Sequence, residues 1–298
     1  MDDDPRIGQL LTSLPESADV VLVGFPSDEG VRRNGGRVGA AQGPAAIRQA
    51  LFKLTPGMNG ELASILPRTA DLGDVLVTGD LEADQERLAD TLAPYLARGA
   101  VPIIFGGGHE TSYGHFLAYT RIGKPVSILN WDAHPDVRPL KNGKGHSGSP
   151  FRQALEHPSG LCSGYTVAGL NLPTVAMAHV AYIASMGGVG IDTTTGLGLF
   201  VDPDIASDTF VSIDLDVIDQ CSAPGVSAPA VGGLDCGQVF CDARRAGSCH
   251  SIRSLDVVEL CPPLDLDNRT ARVAARIVWE FLRGLQERFS EALRTSEA

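Results

Sequence analysis

The chain has 298 residues, of which 43% are hydrophobic and 20% are charged, and its net charge is −12. This is the composition of an ordinary globular protein. The acidic balance disfavours nucleic acid and anionic membrane surfaces as partners, because both bind to clustered basic residues. No apolar run is long enough to span a bilayer, and no basic segment followed by an apolar one marks a secretion signal. We therefore expect a cytoplasmic protein.

Short β-branched runs alternate with amphipathic stretches along the chain. In chain order, strands are predicted at residues 19–24, 74–77, 101–105, 126–131, 165–169, 209–214 and 251–258. Helices are predicted at residues 44–52, 82–97, 110–119, 175–186, 236–246 and 271–288. This alternation is typical of an α/β fold whose mainly parallel sheet is covered by helices on both faces.

No repeat, low-complexity segment or linker divides the sequence. One domain over residues 1–298 is therefore predicted, with roughly the first 15 and the last 8 residues at its periphery. Residues 30–43 are rich in glycine and include three arginines, which fits either a solvated loop or a loop that contacts a substrate. The six cysteines show no CxxC spacing, which favours reduced thiols over a zinc ribbon or disulfides.

Acidic and imidazole side chains follow three of the predicted strands. "GGGH" (106–109) follows the third strand, "NWDAHPD" (130–136) overlaps the end of the fourth, and "SIDLD" (212–216) overlaps the end of the sixth. The side chains with ligand chemistry are His109, Asp132, His134, Asp136, Asp214 and Asp216. Alternate residues of an extended backbone share a face, and open α/β sheets bind ligands at the carboxyl ends of their strands. We therefore expect these groups to converge.

Four carboxylates buried together require cations, because isolated charges are very costly to bury. Carboxylate oxygens mixed with imidazole suit Mn²⁺, and two ions that share bridging carboxylates fit the number of ligands. Each motif alone is more often a solvated strand end or a helix cap, whereas the three together predict a metal site. The glycines before His109 do not predict a nucleotide loop, since no GK[ST] follows and Thr111 replaces the third glycine of the dinucleotide fingerprint. No G-x-S-x-G sequence supports a serine nucleophile.

Three motifs, "GGGH", "DAHPD" and "SIDLDVID", resemble the metal signatures of the ureohydrolases, the family of arginase and agmatinase. The resemblance extends from the first predicted strand to the last helix. It implies a three-layer α/β/α sandwich around a mainly parallel eight-stranded sheet, two Mn²⁺ per subunit, hydrolysis of guanidine or amidine C–N bonds, and a homo-oligomer, either a trimer or a hexamer. By the same resemblance, one ion is held by His109, Asp132, Asp136 and Asp214, and the other by Asp132, His134, Asp214 and Asp216.

The flanking sequence resembles one branch of this family, which hydrolyses N-formimidoyl-L-glutamate to L-glutamate and formamide in histidine breakdown. "HSGSPFRQ" and "DQCSAPGVSAP" carry this resemblance, and Gln220 replaces the proline usual in arginases and agmatinases. Another amidinohydrolase, such as agmatinase or guanidinobutyrase, is the main alternative. A two-metal phosphoesterase and a non-catalytic binding protein are the others.

The leaving nitrogen is a poor leaving group until it is protonated, so an acid beside the metals is needed, and Asp136, an expected ligand of one ion, is the best candidate for this proton shuttle. The resemblance implies that Glu259 binds the amidine of the substrate. His146 lies where arginase has a proton-shuttling histidine, so it is predicted either as a shuttle or as part of a loop surface.

The expected substrate has two carboxylates, and arginine offers carboxylates a planar, bidentate fork. Arg138, two residues after a predicted metal ligand, is the first candidate to bind one of them. Arg33 and Arg37, in the glycine-rich segment, are weaker candidates for the other.

Overall fold

The computed structural model describes residues 3–193, 199 and 207–296. The strands are β1 (Val20–Phe25), β2 (Thr69–Asp74), β3 (Val101–Gly106), β4 (Val126–Trp131), β5 (Cys162–Leu170), β6 (Val189–Asp192), β7 (Thr209–Asp214) and β8 (Ile252–Val258). The helices are α1 (Ile7–Leu10), α2 (Glu29–Asn34), α3 (Gly43–Phe52), α4 (Leu81–Ala97), α5 (Thr111–Arg121), α6 (Pro150–Leu155), α7 (Met177–Ser185), α8 (Cys236–Ser248) and α9 (Arg269–Ser296).

The eight strands form one sheet in the order β2-β1-β3-β8-β7-β4-β5-β6. Every strand pairing in the described part of the chain is parallel. Strands β3 and β4 are consecutive in the chain but not adjacent in the sheet, where β8 and β7 lie between them. Such a crossing point in strand order is where α/β sheets open a ligand-binding crevice.

The apolar residues of each strand divide between two cores. In β3, Ile103 and Phe105 pack into the core that α3, α8 and α9 cover, whereas Ile104 between them packs into the core beneath α4 and α5. Successive side chains of a strand point to opposite faces of the sheet, and burying each large one stabilises the fold by about 1.5–3 kcal/mol. The predicted three-layer α/β/α sandwich is therefore confirmed.

The observed elements differ from the predicted ones at the two edges of the sheet and in three short helices, α1, α2 and α6, which were not predicted. The strand predicted at 74–77 is wrong, because β2 ends at Asp74 and Leu76 is 72% exposed. The opposite edge strand, β6, was not predicted at all, and α2 occupies part of the segment expected to be a loop. All six cysteines are free thiols. Among the described helices, none combines the length and the apolar character needed to cross a bilayer.

Candidate metal centre and active site

Four neighbouring strands, β3, β8, β7 and β4, end at one cleft. The turn after β3 brings His109 into this cleft, and it requires a glycine at position 107. A Cβ there would lie 1.8 Å from the carbonyl oxygen of Ser27, a distance that no side chain tolerates. Asp214 ends β7, and Glu259 directly follows β8.

One cluster of potential ligands surrounds His109. Its Nδ1 atom lies 3.0 Å from an oxygen of Asp136, 3.1 Å from one of Asp214 and 3.4 Å from one of Asp132. The imidazole is fully buried, yet Nδ1 has no hydrogen-bond partner. A buried nitrogen facing three carboxylate oxygens in this way fits a cation among them.

A second cluster consists of Asp132, His134 and Asp216. The Nδ1 atom of His134 lies 3.0 Å from Asp216 Oδ2 and 3.6 Å from Asp132 Oδ1. Asp132 belongs to both clusters, as a bridging ligand would. Asp214 belongs only to the first, and its Oδ1 accepts a hydrogen bond of 2.8 Å from the backbone N–H of Asp216.

The residues after β4 reach the centre by a different route from the one predicted. We expected alternation along an extended backbone to bring Asp132, His134 and Asp136 together. However, β4 ends at Trp131, and Asp136 has a φ of 42°, in the left-handed region. The loop turns Asp136 toward His109, so these side chains converge through a bend of the backbone.

The clustered charges of the centre raise the pKa values of its side chains. Burial, followed by the neighbouring Asp216, raises the pKa of Asp132 and raises that of Asp214 well above its usual range. The same Asp216 raises the pKa of His134 to about 12. Burial disfavours protonated His109, but its contacts with Asp136 and Asp214 outweigh this effect and raise its pKa. Hard oxygen donors mixed with imidazoles fit divalent cations such as Mn²⁺.

A cavity of about 240 Å³ opens onto the two clusters. It is lined by Asn34, Gly35, Gly36, His134, Asp136, Arg138, Ser147, Asp214, Asp216, Ser227, Ala228 and Glu259. Glu259 is 6% exposed and has a φ of 67°, and its Oε1 accepts a 2.8 Å hydrogen bond from the backbone N–H of His109. Burial, followed by Asp214 and Glu110, raises the pKa of Glu259 well above its usual range. Its carboxyl group is thus placed to meet a cationic ligand.

The structure does not support a proton-shuttling role for His146. This side chain is 1% exposed and is absent from the cavity lining. Its Nδ1 accepts a hydrogen bond from the backbone N–H of Gly148, and its Nε2 lies 3.1 Å from the carbonyl oxygen of Pro139. Burial lowers its pKa. Both ring nitrogens are therefore used to hold the loop.

Arg33 is also engaged away from the cavity. It forms ion pairs with Glu29 and Glu82 at 2.9 and 2.6 Å. Arg37 donates hydrogen bonds to the carbonyl oxygens of Val226 and Ser227, both at 2.9 Å. Both arginines shape the loops around the cavity and do not line it.

Arg138, the first candidate for binding a substrate carboxylate, lines the cavity, and its Nη1 lies 3.4 Å from Asn34 Oδ1. Asn34, Ser147 and Ser227 were missed as cavity residues, although Asn34 lies in the glycine-rich segment that was noted. Lys141 donates to the backbone carbonyl oxygen and to Oδ1 of Asn34 at 3.0 and 3.4 Å. Asparagine and serine carry no charge and follow no metal-ligand spacing here, so no sequence pattern selects them.

Fold and site together define a metal-dependent hydrolase built on a parallel α/β sandwich. The sequence profile of the arginase family matches residues 18–284. The chain belongs to this family.

Two relatives and one solved structure resemble the chain over nearly its whole length. It is 42% identical over 281 residues to formimidoylglutamase of Nocardia farcinica, covering 88% of this chain and 86% of the relative. It is 40% identical over 297 residues to formimidoylglutamase of Rhodococcus jostii, covering 92% and 89%. The crystal structure of Trypanosoma cruzi formiminoglutamase with two Mn²⁺ superposes with a TM-score of 0.86 at 34% identity, covering 96% of this chain and all of that one.

Proposed function

We propose that this protein is a binuclear manganese hydrolase that cleaves N-formimidoyl-L-glutamate into L-glutamate and formamide. The observation that carries the proposal is the cavity, which has clustered carboxylates and imidazoles at its floor and Arg138 in its wall. Relatives named formimidoylglutamase at 40 and 42% identity support the choice of substrate.

The two clusters would hold the ions in this proposal. His109, Asp132, Asp136 and Asp214 would hold one, and Asp132, His134 and Asp216 would hold the other, with Asp214 as an additional ligand. Two divalent cations at such a site lower the pKa of a water molecule and stabilise the negative charge that develops on the reacting oxygen.

Glu259 and Asp136 perform the remaining chemistry. A protonated amidine is a planar cation, and the buried carboxylate of Glu259 binds it and orients it in the cavity. Water adds to that carbon, and the bond to the glutamate nitrogen then breaks. Asp136, which lines the same cavity, accepts a proton from the attacking water and returns it to the leaving nitrogen, because an amine leaves only when protonated. The oxygen of water ends in formamide.

Two positively charged side chains at the cavity favour an acidic substrate. Arg138 lines the wall, and Lys141 is hydrogen-bonded to Asn34, which also lines it. Carboxylates of the glutamate portion would bind there through charge-assisted hydrogen bonds. The ammonium group of agmatine would meet the same positive charges.

A product assay on the manganese-loaded protein tests the proposal. Formimidoylglutamate, agmatine and arginine are compared, and glutamate is the expected product of the first. In the Arg138→Ala variant, kcat/KM for formimidoylglutamate should fall by about 30- to 150-fold, as expected for a loss of about 2–3 kcal/mol. Arg32→Ala, which removes an exposed arginine paired with Glu29, is the control. Preference for agmatine, or a fully active Arg138→Ala variant, would reject the substrate.

We also propose that residues 1–298 form one domain, that the chain assembles into a trimer or hexamer, and that it acts in the cytoplasm in histidine breakdown. Light scattering coupled to size-exclusion chromatography measures the assembly. A monomer at micromolar concentration would contradict it.

A further inference from the structure

A row of buried polar side chains runs from the metal centre into the core. It comprises His109, Ser112, His115, Tyr119, Ser212, Ser254 and Asp256, each at most 1% exposed. Three of them lie on α5, at positions 112, 115 and 119, on a face that packs against the sheet. Polar groups in such a place cost free energy unless each is hydrogen-bonded, so the row requires an explanation.

The first hydrogen bond of the row involves His109 Nε2, the ring nitrogen that faces away from the carboxylates. His109 uses Nδ1 toward the carboxylates, and its Nε2 lies 2.9 Å from Ser212 Oγ. Ser212 in turn donates to Asp256 Oδ1 at 2.6 Å. If Nδ1 is to offer a lone pair to a metal, Nε2 must carry the proton and donate it to Ser212.

Asp256 is the acceptor at which the hydrogen bonds meet. Besides Ser212, it accepts from Ser112 Oγ at 3.1 Å, and its Oδ2 lies 2.7 Å from His115 Nδ1. An ionised carboxylate only accepts hydrogen bonds. Ser212 donates its one proton to Asp256 at 2.6 Å, and its oxygen lies 3.0 Å from Ser112 Oγ. The oxygen of Ser212 is therefore left to accept a hydrogen bond from His109.

The far end of the row anchors His115. Its Nε2 lies 2.6 Å from Ser254 Oγ, and Tyr119 Oη lies 2.6 Å from the same oxygen. The ring of His115 packs at 4.1 Å, centroid to centroid, on Phe210 of β7. The position of Asp256 is thus determined by packing and by its hydrogen bonds.

We propose that Asp256, acting through Ser212, is a positioning residue that holds His109 with its Nδ1 lone pair directed at the metal centre. It thereby sets the affinity of the ion bound by His109 and leaves the ion at His134 unaffected. The inference rests on the proposed function for the presence of the two ions. Groups that hold the distal nitrogen of a ligand histidine commonly change metal affinity by about 10- to 100-fold when removed.

Manganese titration of the chelated protein tests this inference, with free Mn²⁺ followed by electron paramagnetic resonance. Wild type should show two binding steps. In Ser212→Ala and Asp256→Asn, one dissociation constant should rise by about 10- to 100-fold, and the spectrum at the metal concentration that just fills both wild-type sites should change from a coupled pair to a single ion. Tyr119→Phe, which removes a buried hydroxyl at the other end of the row, should match wild type.

Two results would overturn the inference: unchanged affinities in Ser212→Ala, or equal weakening of both ions in all three variants, which would indicate general destabilisation. If Asp256→Asn does not fold, Ser212→Ala carries the test alone. A wild type that binds no Mn²⁺ would instead reject the metal centre of the proposed function, and this inference with it.

Discussion

At the scale of single residues, two side chains of the site depend on an unusual backbone conformation. Asp136 and Glu259 have φ values of 42° and 67°, where side chains with a Cβ are strained by about 1–3 kcal/mol. Such strain persists only where the surrounding structure imposes it. Here it turns one carboxyl group toward His109 and the other into the cavity.

Glu259→Gln separates the charge of this residue from its shape. Glutamine can keep the hydrogen bond from the backbone N–H of His109 but cannot pair with a cationic amidine. We expect kcat/KM to fall by about 30- to 150-fold, corresponding to about 2–3 kcal/mol. Manganese content should not change. Glu16→Gln, at an exposed glutamate, is the control. Loss of manganese from Glu259→Gln would show that the residue supports the metal site and not the substrate.

Asp132→Asn should disable both ions, because Asp132 is the residue that belongs to both ligand clusters. The amide is neutral and a weaker ligand, so we expect bound manganese to fall below two per chain. Activity should fall by more than about 100-fold, beyond what the loss of an outer-shell partner causes. Metal analysis of the dialysed protein measures the first effect. Asp90→Asn, at a surface carboxylate paired with Arg121, should keep both ions, and two tightly bound ions in Asp132→Asn would exclude a bridge.

At the scale of elements, α2 is fixed to the turn that carries His109. Glu110 Oε1 accepts a 2.8 Å hydrogen bond from the backbone N–H of Gly30 in the first turn of α2. The helix ends at Asn34, which lines the cavity. The position of the cavity wall therefore depends on a close contact between this helix and the metal-binding turn.

Gly30→Ala should move that wall. A Cβ at position 30 would lie 2.5 Å from Glu110 Cδ, and overpacking of this kind costs about 1–3 kcal/mol. We expect KM to rise about tenfold if about 1.4 kcal/mol of this falls on substrate binding, with manganese retained. Gly164→Ala on β5 is the control, since its added carbon would meet the Ser127 hydroxyl at 3.1 Å. Equal KM values for the two variants would show that α2 does not form the substrate site.

At the scale of the whole molecule, two apolar cores stabilise the fold, whereas the clustered carboxylates of the metal centre destabilise it. The carboxylates that meet at the strand ends repel one another, and a cation relieves this repulsion. Metal binding should therefore stabilise the fold as well as supply chemistry, since a ligand that binds only the folded state adds to its stability.

Chelation should lower the melting temperature. At a free Mn²⁺ concentration 100 times Kd, one site adds about 2.7 kcal/mol, and each kcal/mol shifts the melting temperature by about 2–4 °C for a chain of roughly this size. The ligands must be deprotonated to bind, so this increment should shrink as the pH is lowered from 7 toward 5. Differential scanning calorimetry with manganese or chelator measures it. A melting temperature that manganese does not change at pH 7 would contradict the binding of manganese by the folded protein.

Apolar patterning was sufficient to predict the layers of the fold, and residue type at the strand ends was sufficient to identify the potential metal ligands. Strands buried on both faces carry continuous apolar runs, which is why the six inner strands were found. The two edge strands were missed or misplaced because they lack that signal: β2 contains Asp71 and Asp74, which pair with Arg48, and β6 has only four residues. His109 and the aspartates were found because few roles other than metal binding explain them at three strand ends.

The partners of the longer polar side chains are determined by contacts between distant parts of the chain. Arg33 and Arg138 look alike in sequence, yet one is neutralised by Glu82 on α4 and the other lines the cavity. By sequence position His146 resembles a catalytic histidine, but in the structure its two ring nitrogens contact the backbone of Gly148 and Pro139. A local pattern fixes which chemical groups are present and which face of a strand they share. The partner of a flexible or buried polar group depends on what folding places within about 3 Å of it, and neither spacing nor composition encodes that distance.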